Sequence, residues 1–198
     1  MKLVNGFVPK RAIMRGLLIK TNQLLIRNLA ATDLEDFHLY RSNPAVTKYQ
    51  GFDVFSFEQA QAFIKEQAEK EFGNPGEWVQ YGIENNTTRK LIGDCAIKLK
   101  QNDTRLGEIG ITISPLEQRK GYAKETLIAI LNYLFSRNDF HRVTETVDAE
   151  NIASIELLKS VGFREEGHFI ENIFFKGKWG SEYQYAMLKR EWLQLNHT

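Results

Sequence analysis

Apolar positions along the chain switch repeatedly between alternate-residue and helical spacing, which predicts strands interleaved with helices. Residues 23–29 (QLLIRNL) predict a first strand. Thr32 then stands as an N-cap, with Glu35 three positions on to complete a capping box ahead of Phe37, Leu39 and Tyr40. That helix is expected to end near Ser42, because Pro44 disfavours helical geometry at the residue before it. Ser56 and Gln59 form a second capping box. Ala60, Phe63, Ile64 and Gln67 follow at helical spacing until Gly73-Asn74-Pro75-Gly76 stops the run.

Residues 78–84 and 91–100 predict a hairpin around the polar turn 85–90. Residues 107–114 (GEIGITIS) read as a strand closed by Pro115, and 122–135 as a helix with Ala123, Leu127, Ile130, Leu131 and Leu134 on one face. A strand over 142–148, a short helix over 154–160 stopped by Gly162, and strands near 163–169 and 182–188 complete the series. The order β-α-α-β-β-β-α-β-α-β-β predicts a mixed α/β fold in a single domain over 21–195. The strands on either side of the 122–135 helix should run parallel, joined by a right-handed crossover.

Composition narrows the class. At 198 residues with 42% apolar and 26% charged side chains, the chain is an ordinary globular protein, not a collagen-like, low-complexity or disordered one. Its 26 basic and 25 acidic residues leave a net charge of +1, so no field gathers nucleic acid. One cysteine, Cys95, excludes an internal disulfide or a cysteine-rich metal cluster and suits a reducing cytoplasm. His38, His141, His168 and His197 lack metal-ligand spacing, and His141 is expected to pack ahead of its strand. No apolar run approaches the roughly 18 residues of a membrane span. Residues 1–20 are basic and interrupted by Pro9, Lys10, Arg11 and Arg15, unlike a signal peptide, and are expected to form an accessory extension.

The most informative stretch is 108–125, EIGITISPLEQRKGYAKE. A strand ends at Pro115, a short loop follows, and a helix opens near Gly121. The first amides of a helix have no partners within it, and the helix dipole adds positive charge, so such an end binds phosphate. Gly121 permits close approach, Ala123 leaves room against the first turn, and Arg119, Lys120 and Lys124 add charge. A pyrophosphate suits this arrangement. A plain strand–loop–helix connection with a solvated basic face reads equally well from these residues. There is no Walker loop and no complete dinucleotide fingerprint.

Gln118-Arg119-Lys120-Gly121-Tyr122-Ala123 resembles the Q/R-x-x-G-x-G/A loop of the GCN5-related N-acetyltransferase (GNAT) superfamily. The likeness continues through 23–33, Leu91-Ile92-Gly93, Gly107-Glu108-Ile109-Gly110, His141-Arg142-Val143, Glu150-Asn151-Ile152-Ala153-Ser154, Val161-Gly162-Phe163 and the closing Trp179 to Trp192. The branch it resembles is that of the Rim-type ribosomal-protein N-terminal acetyltransferases. The resemblance implies a largely antiparallel central sheet flanked by helices and splayed between strands 107–114 and 142–148, with acetyl-CoA as donor and no metal. It implies that backbone groups of Ile111, Thr112 and Ile113 pair with the pantetheine arm. An amide near Ile111 would face the thioester carbonyl, while Gln118, Arg119, Lys120, Gly121, Tyr122, Ala123 and Lys124 cradle the pyrophosphate.

Glu108 is the expected general base. Asn151 is expected to cap the helix that follows and to bond the pantetheine. The position where much of the superfamily carries a proton-donating tyrosine is Leu158 here, and Ser154 resembles the serine proposed for this task in the Rim-type branch. The expected acceptor is a protein or peptide N-terminal amine. The alternatives are a small amine, such as a polyamine, amino sugar or antibiotic, and a non-catalytic acyl-CoA-binding domain. Segments 42–57 and 165–180 should flank the acceptor. A cytoplasmic monomer or homodimer, without nucleic-acid or membrane partners, completes the expectation.

Overall fold

The structure, a computed structural model, describes residues 17–137 and 139–195. His197 and the first sixteen residues of the expected extension lie outside them. Among the described residues eight strands form one sheet, β1 (Leu18–Lys20), β2 (Leu24–Asn28), β3 (Trp78–Asn85), β4 (Leu91–Lys100), β5 (Asp103–Ile113), β6 (Arg142–Asp148), β7 (Arg164–Phe175) and β8 (Lys178–Leu188). They lie in the order β1-β2-β3-β4-β5-β6-β8-β7. Every neighbouring pair is antiparallel except β5 and β6, which run parallel as the crossover around the intervening helix requires. Leu18–Lys20, within the stretch expected to be an extension, pairs with β2 as an edge strand.

The helices are α1 (Leu34–Arg41), α2 (Pro44–Thr47), α3 (Phe57–Ala68), α4 (Tyr122–Ser136), α5 (Ile152–Val161) and α6 (Lys189–Leu195). Adjacent residues of β4 show how the layers divide. Asp94 points to Tyr40 and Arg41 of α1, whereas Cys95 points into the core that holds Leu127, Ile130, Leu131 and Leu134 of α4 and Ile155 and Leu158 of α5. Burial raises the Cys95 thiol well above its ordinary range, consistent with a packing residue. On the other face Phe37, Tyr40, Ala60 and Ile64 pack α1 and α3 over Leu29 and Leu91.

Two start signals resolve differently. Ser56 and Gln59 make the expected reciprocal pair, 3.2 Å and 2.8 Å. The Thr32–Glu35 box is replaced: the helical turn begins at Ala31, and Asp33 Oδ2 accepts the Ala30 amide at 2.8 Å while also binding Arg27. The last hairpin runs well past its expected ends, from Arg164 to Phe175 and back from Lys178. His141 is exposed rather than packed.

Candidate active site

β5 and β6 pair only over Leu106–Glu108 and Arg142–Thr144, the last pair being Glu108 with Thr144. Beyond it β5 continues five residues alongside β4, and β6 continues alongside β8, so the sheet opens into a cleft. The Thr144 hydroxyl donates to Gly107 O at 3.2 Å and closes its apex.

Strand alternation decides which backbone groups face the cleft. The Ser114 amide donates to Ile92 O at 2.9 Å, and the β4–β5 register runs without a break from there to Gly107. Thr112, Gly110 and Glu108 therefore direct their amides and carbonyls into the β4 ladder, while Ile109, Ile111 and Ile113 direct theirs toward β6. Thr112 thus leaves the expected set of cleft-facing backbone groups, and Ile111 and Ile113 remain in it. Gln118 Nε2 already donates to Ile113 O at 3.0 Å, so this side chain closes the free edge.

At the mouth, the α4 start has no side-chain cap. The first main-chain bond there is Glu125 N–H to Gly121 O at 3.0 Å, so the amides of Tyr122, Ala123 and Lys124 have no partner inside the helix. Gly121 has φ +86°, Arg119 has φ +62°, and a Cβ built on Gly121 would meet no atom of the chain within 4 Å. The loop is an open concavity lined by amides and suits an anion such as a diphosphate. Lys120 is held by Glu117 at 3.0 Å. The Tyr122 hydroxyl accepts from Asn85 Nδ2 at 3.1 Å, which ties the first residue of α4 to the end of β3.

Glu125 was not foreseen. Its carboxylate takes bonds from Thr21 Oγ1 (2.6 Å), the Gln23 amide (2.8 Å) and Gln23 Nε2 (2.6 Å), tying the start of β2 to the first turn of α4. Burial opposes its ionisation, but these bonds prevail and hold it below the usual carboxylate range.

Glu108 sits at the apex on the α1 face, where Lys98 and Lys100 both pair with it. Burial lowers both lysines, and for Lys100 the neighbouring Lys98 and Arg142 lower it further. On the same face Asp94 receives Arg41, the Tyr40 hydroxyl at 2.6 Å and Gln80, a buried network that fixes α1 over the sheet. On the far side Asn151 Oδ1 accepts the Ser154 amide at 3.3 Å, so Asn151 caps α5 as expected, and Ser154 is half-buried in its first turn. Leu158 is fully buried.

A second cleft of about 500 Å³ lies where 42–57 meets the last hairpin. Tyr49, Asp53, Asp148, Glu150, Lys176 and Lys178 are among its walls. Lys176 Nζ reaches Thr47 O at 2.6 Å and Lys178 pairs with Glu150 at 2.8 Å. Phe174 and Trp179, packed edge to face on the opposite side of the hairpin from the Phe175–Lys178 pair, are 62% and 60% exposed.

A sheet parted between two parallel strands, with an uncapped helix start beside the opening, marks a protein that offers a free backbone edge and an anion site to one extended ligand. More narrowly, residues 23–164 match the family described as "Acetyltransferase (GNAT) domain", and the chain belongs to that family of N-acetyltransferase enzymes. It is 36% identical over 174 residues to the uncharacterized N-acetyltransferase YnaD of Bacillus subtilis, covering 88% of this chain and 98% of that one. Its fold superposes on a GNAT-family acetyltransferase from Bacillus anthracis with a TM-score of 0.79 at 30% identity, covering 88% of this chain and all of the other. A spermidine N-acetyltransferase from Vibrio cholerae, solved with CoA and spermine, gives a TM-score of 0.73 at 25% identity over 87% of this chain and 99% of that chain. Among the described residues no helix is long and apolar enough to cross a membrane, and no group of three His, Cys, Asp or Glu side chains is placed to hold a metal.

Proposed function

We propose that the protein transfers the acetyl group of acetyl-CoA to the N-terminal α-amine of a protein or peptide, as the Rim-type branch does. The observation that carries the donor assignment is the cleft that opens past Glu108 and Thr144 with the uncapped α4 start beside it. The residues fit the donor. Amides of Tyr122, Ala123 and Lys124 would take the diphosphate, with Arg119 and Lys124 supplying charge. The Ile111 amide and carbonyl, and the Ile113 amide, would pair with an extended amide-bearing arm. Bound acetyl-CoA supplies an activated thioester, and the Ile111 amide would stabilise charge on its carbonyl oxygen. Asn151, with Oδ1 committed to the cap, has Nδ2 for the arm.

Glu108 would accept the proton of the attacking amine, directly or through water. Two lysines already neutralise this carboxylate, which weakens it as a base. An α-amine, titrating near pH 7.7–8.0, asks little of it, since neutralisation at pH 7 costs only about 1 kcal/mol. A lysine-like amine near pH 10.4 costs several times more. The second cleft mixes three lysines with its carboxylates, poor for a polycation but suited to the carbonyls of a peptide. Its position between the two segments expected to flank the acceptor favours this entrance.

The test is thiol release from acetyl-CoA with a panel of peptides and of small amines including spermidine, with products identified by mass spectrometry. Peptide α-acetylation is expected, and exclusive acetylation of spermidine would overturn the acceptor assignment. Glu108→Gln should lower kcat at least tenfold while leaving the acetyl-CoA Kd within twofold. Equal loss of both would make Glu108 structural.

A further inference from the structure

Four carboxylates are buried among the described residues: Asp33, Glu84, Asp94 and Glu145. Arg27 holds Asp33 and Glu84, and Arg41 holds Asp94. Glu145 has no such partner. Its Oε2 is sealed from solvent without a hydrogen bond, and the residue is 8% exposed.

Its position is equally distinctive. Glu145 is the first β6 residue beyond the last β5–β6 pair, at the apex of the cleft. It shares a face with Val143 and Val147, which pack into the core under α4 and α5, whereas Glu108 occupies the opposite face. Two carboxyl groups thus flank the apex, one paired with ammonium groups and one unpaired in apolar surroundings. Directly across on β8 is Tyr185, which is followed along the same face by Tyr183. The Tyr185 hydroxyl donates to Glu165 on β7 at 3.1 Å, away from Glu145. From α4 and α5 the buried neighbours of this core are Leu127, Leu131, Ile155 and Leu158, none of which titrates, while Glu156 and Lys159 of α5 are exposed.

Resting on the acetyl transfer proposed above, we infer that Glu145 is the general acid of the reaction, protonating the sulfur that departs from the acetyl group. As the carbon–sulfur bond breaks, its electron pair moves to sulfur, and Glu145 delivers the carboxyl proton there. The amine's own proton leaves through Glu108 or water, and Glu145 regains a proton from solvent after the thiol departs. A buried carboxyl with no counter-charge favours the neutral form that this requires, and burial pushes Glu145 up to about 8. Leu158 of α5 has no proton to give, and Ser154, half-buried in the first turn, is the competing donor.

The test is Glu145→Gln, which keeps the shape of the neutral acid, with Ser154→Ala in parallel. In the wild-type protein without cofactor, infrared spectra should show a protonated carboxyl band that disappears as pH rises through about 8 and is absent in Glu145→Gln. In turnover, wild-type kcat should fall above pH 8. Glu145→Gln should lose kcat roughly a hundredfold, with that alkaline limb abolished and the acetyl-CoA KM little changed. Wild-type kcat and pH profile in Glu145→Gln would overturn the inference, as would loss of the alkaline limb in Ser154→Ala alone. A purely structural Glu145 would alter stability without removing the limb, and would also overturn it. Failure of the wild-type protein to acetylate any amine in the panel would instead overturn the proposed function.

Discussion

Gly121 joins two properties that a single substitution separates. Its φ of +86° is a conformation that costs an L-residue about 1–2 kcal/mol, and its missing Cβ leaves the space over the first α4 amides empty. Gly121→Val should therefore lower Tm by a few degrees and, independently, raise the acetyl-CoA Kd at least tenfold by filling that space. Calorimetric titration checks the second effect, and unchanged binding would mean that the diphosphate lies elsewhere. This loop was readable in the sequence because its chemistry is carried by the backbone over a few adjacent residues. Tyr122 and Thr112 were less readable. The Tyr122 hydroxyl accepts from Asn85, 37 positions away in sequence, and the direction of the Thr112 amide depends on the register against β4. Glu145 carried no local signal at all, since its lack of a partner is a property of the assembled core.

Where elements are specified locally, pattern and structure coincide: Leu91–Lys100 and Arg142–Asp148 begin and end where alternation and turn residues place them. The Ser56 start also coincides, because both members of the box lie within four residues. The α1 start shifted because Asp33 answers to Arg27 on β2 as well as to its own helix. β7 and β8 outran their expected length because a two-stranded extension needs only its partner, not an apolar face to bury, and β7 is exposed along nearly all of its length. At Gly93 an added Cβ would lie 2.3 Å from Thr112 O and 3.1 Å from Ile113 Cα. Both are backbone atoms, so neither can swing aside. Gly93→Ala should push β5 away from β4, destabilise the protein by about 1–3 kcal/mol in chemical denaturation, and weaken acetyl-CoA binding by displacing the edge that carries Ile111 and Ile113. Loss of stability with unaltered binding would show that β5 tolerates the shift without moving its free edge.

For the molecule as a whole, the fold class, the parallel β5–β6 pair and the split between them followed from element order and family resemblance, whereas the division of charge across the sheet did not. That division has a consequence for stability. Glu166, held by Arg142 and Arg164, titrates down at about 2, against 4.5 for the free group, so its contribution is present above pH 4.5 and is lost as pH falls toward 2. Glu145 acts in the opposite sense. Raised to about 8, it binds a proton in the folded chain that the unfolded chain has released above pH 4.5, so the folded state is favoured at low pH and loses that advantage as pH rises from 4.5 to 8. The two windows do not overlap. Glu166 should steepen the fall of Tm below pH 4.5, and Glu145 should add a decline between pH 4.5 and 8. In Glu145→Gln the decline should flatten and Tm at pH 8 should exceed that of the wild-type protein. Differential scanning calorimetry across pH 3–9 checks both. A wild-type Tm that does not decline from pH 5 to 8 would show that Glu145 takes up no proton on folding, because a carboxyl of ordinary or lowered titration adds no slope in that range.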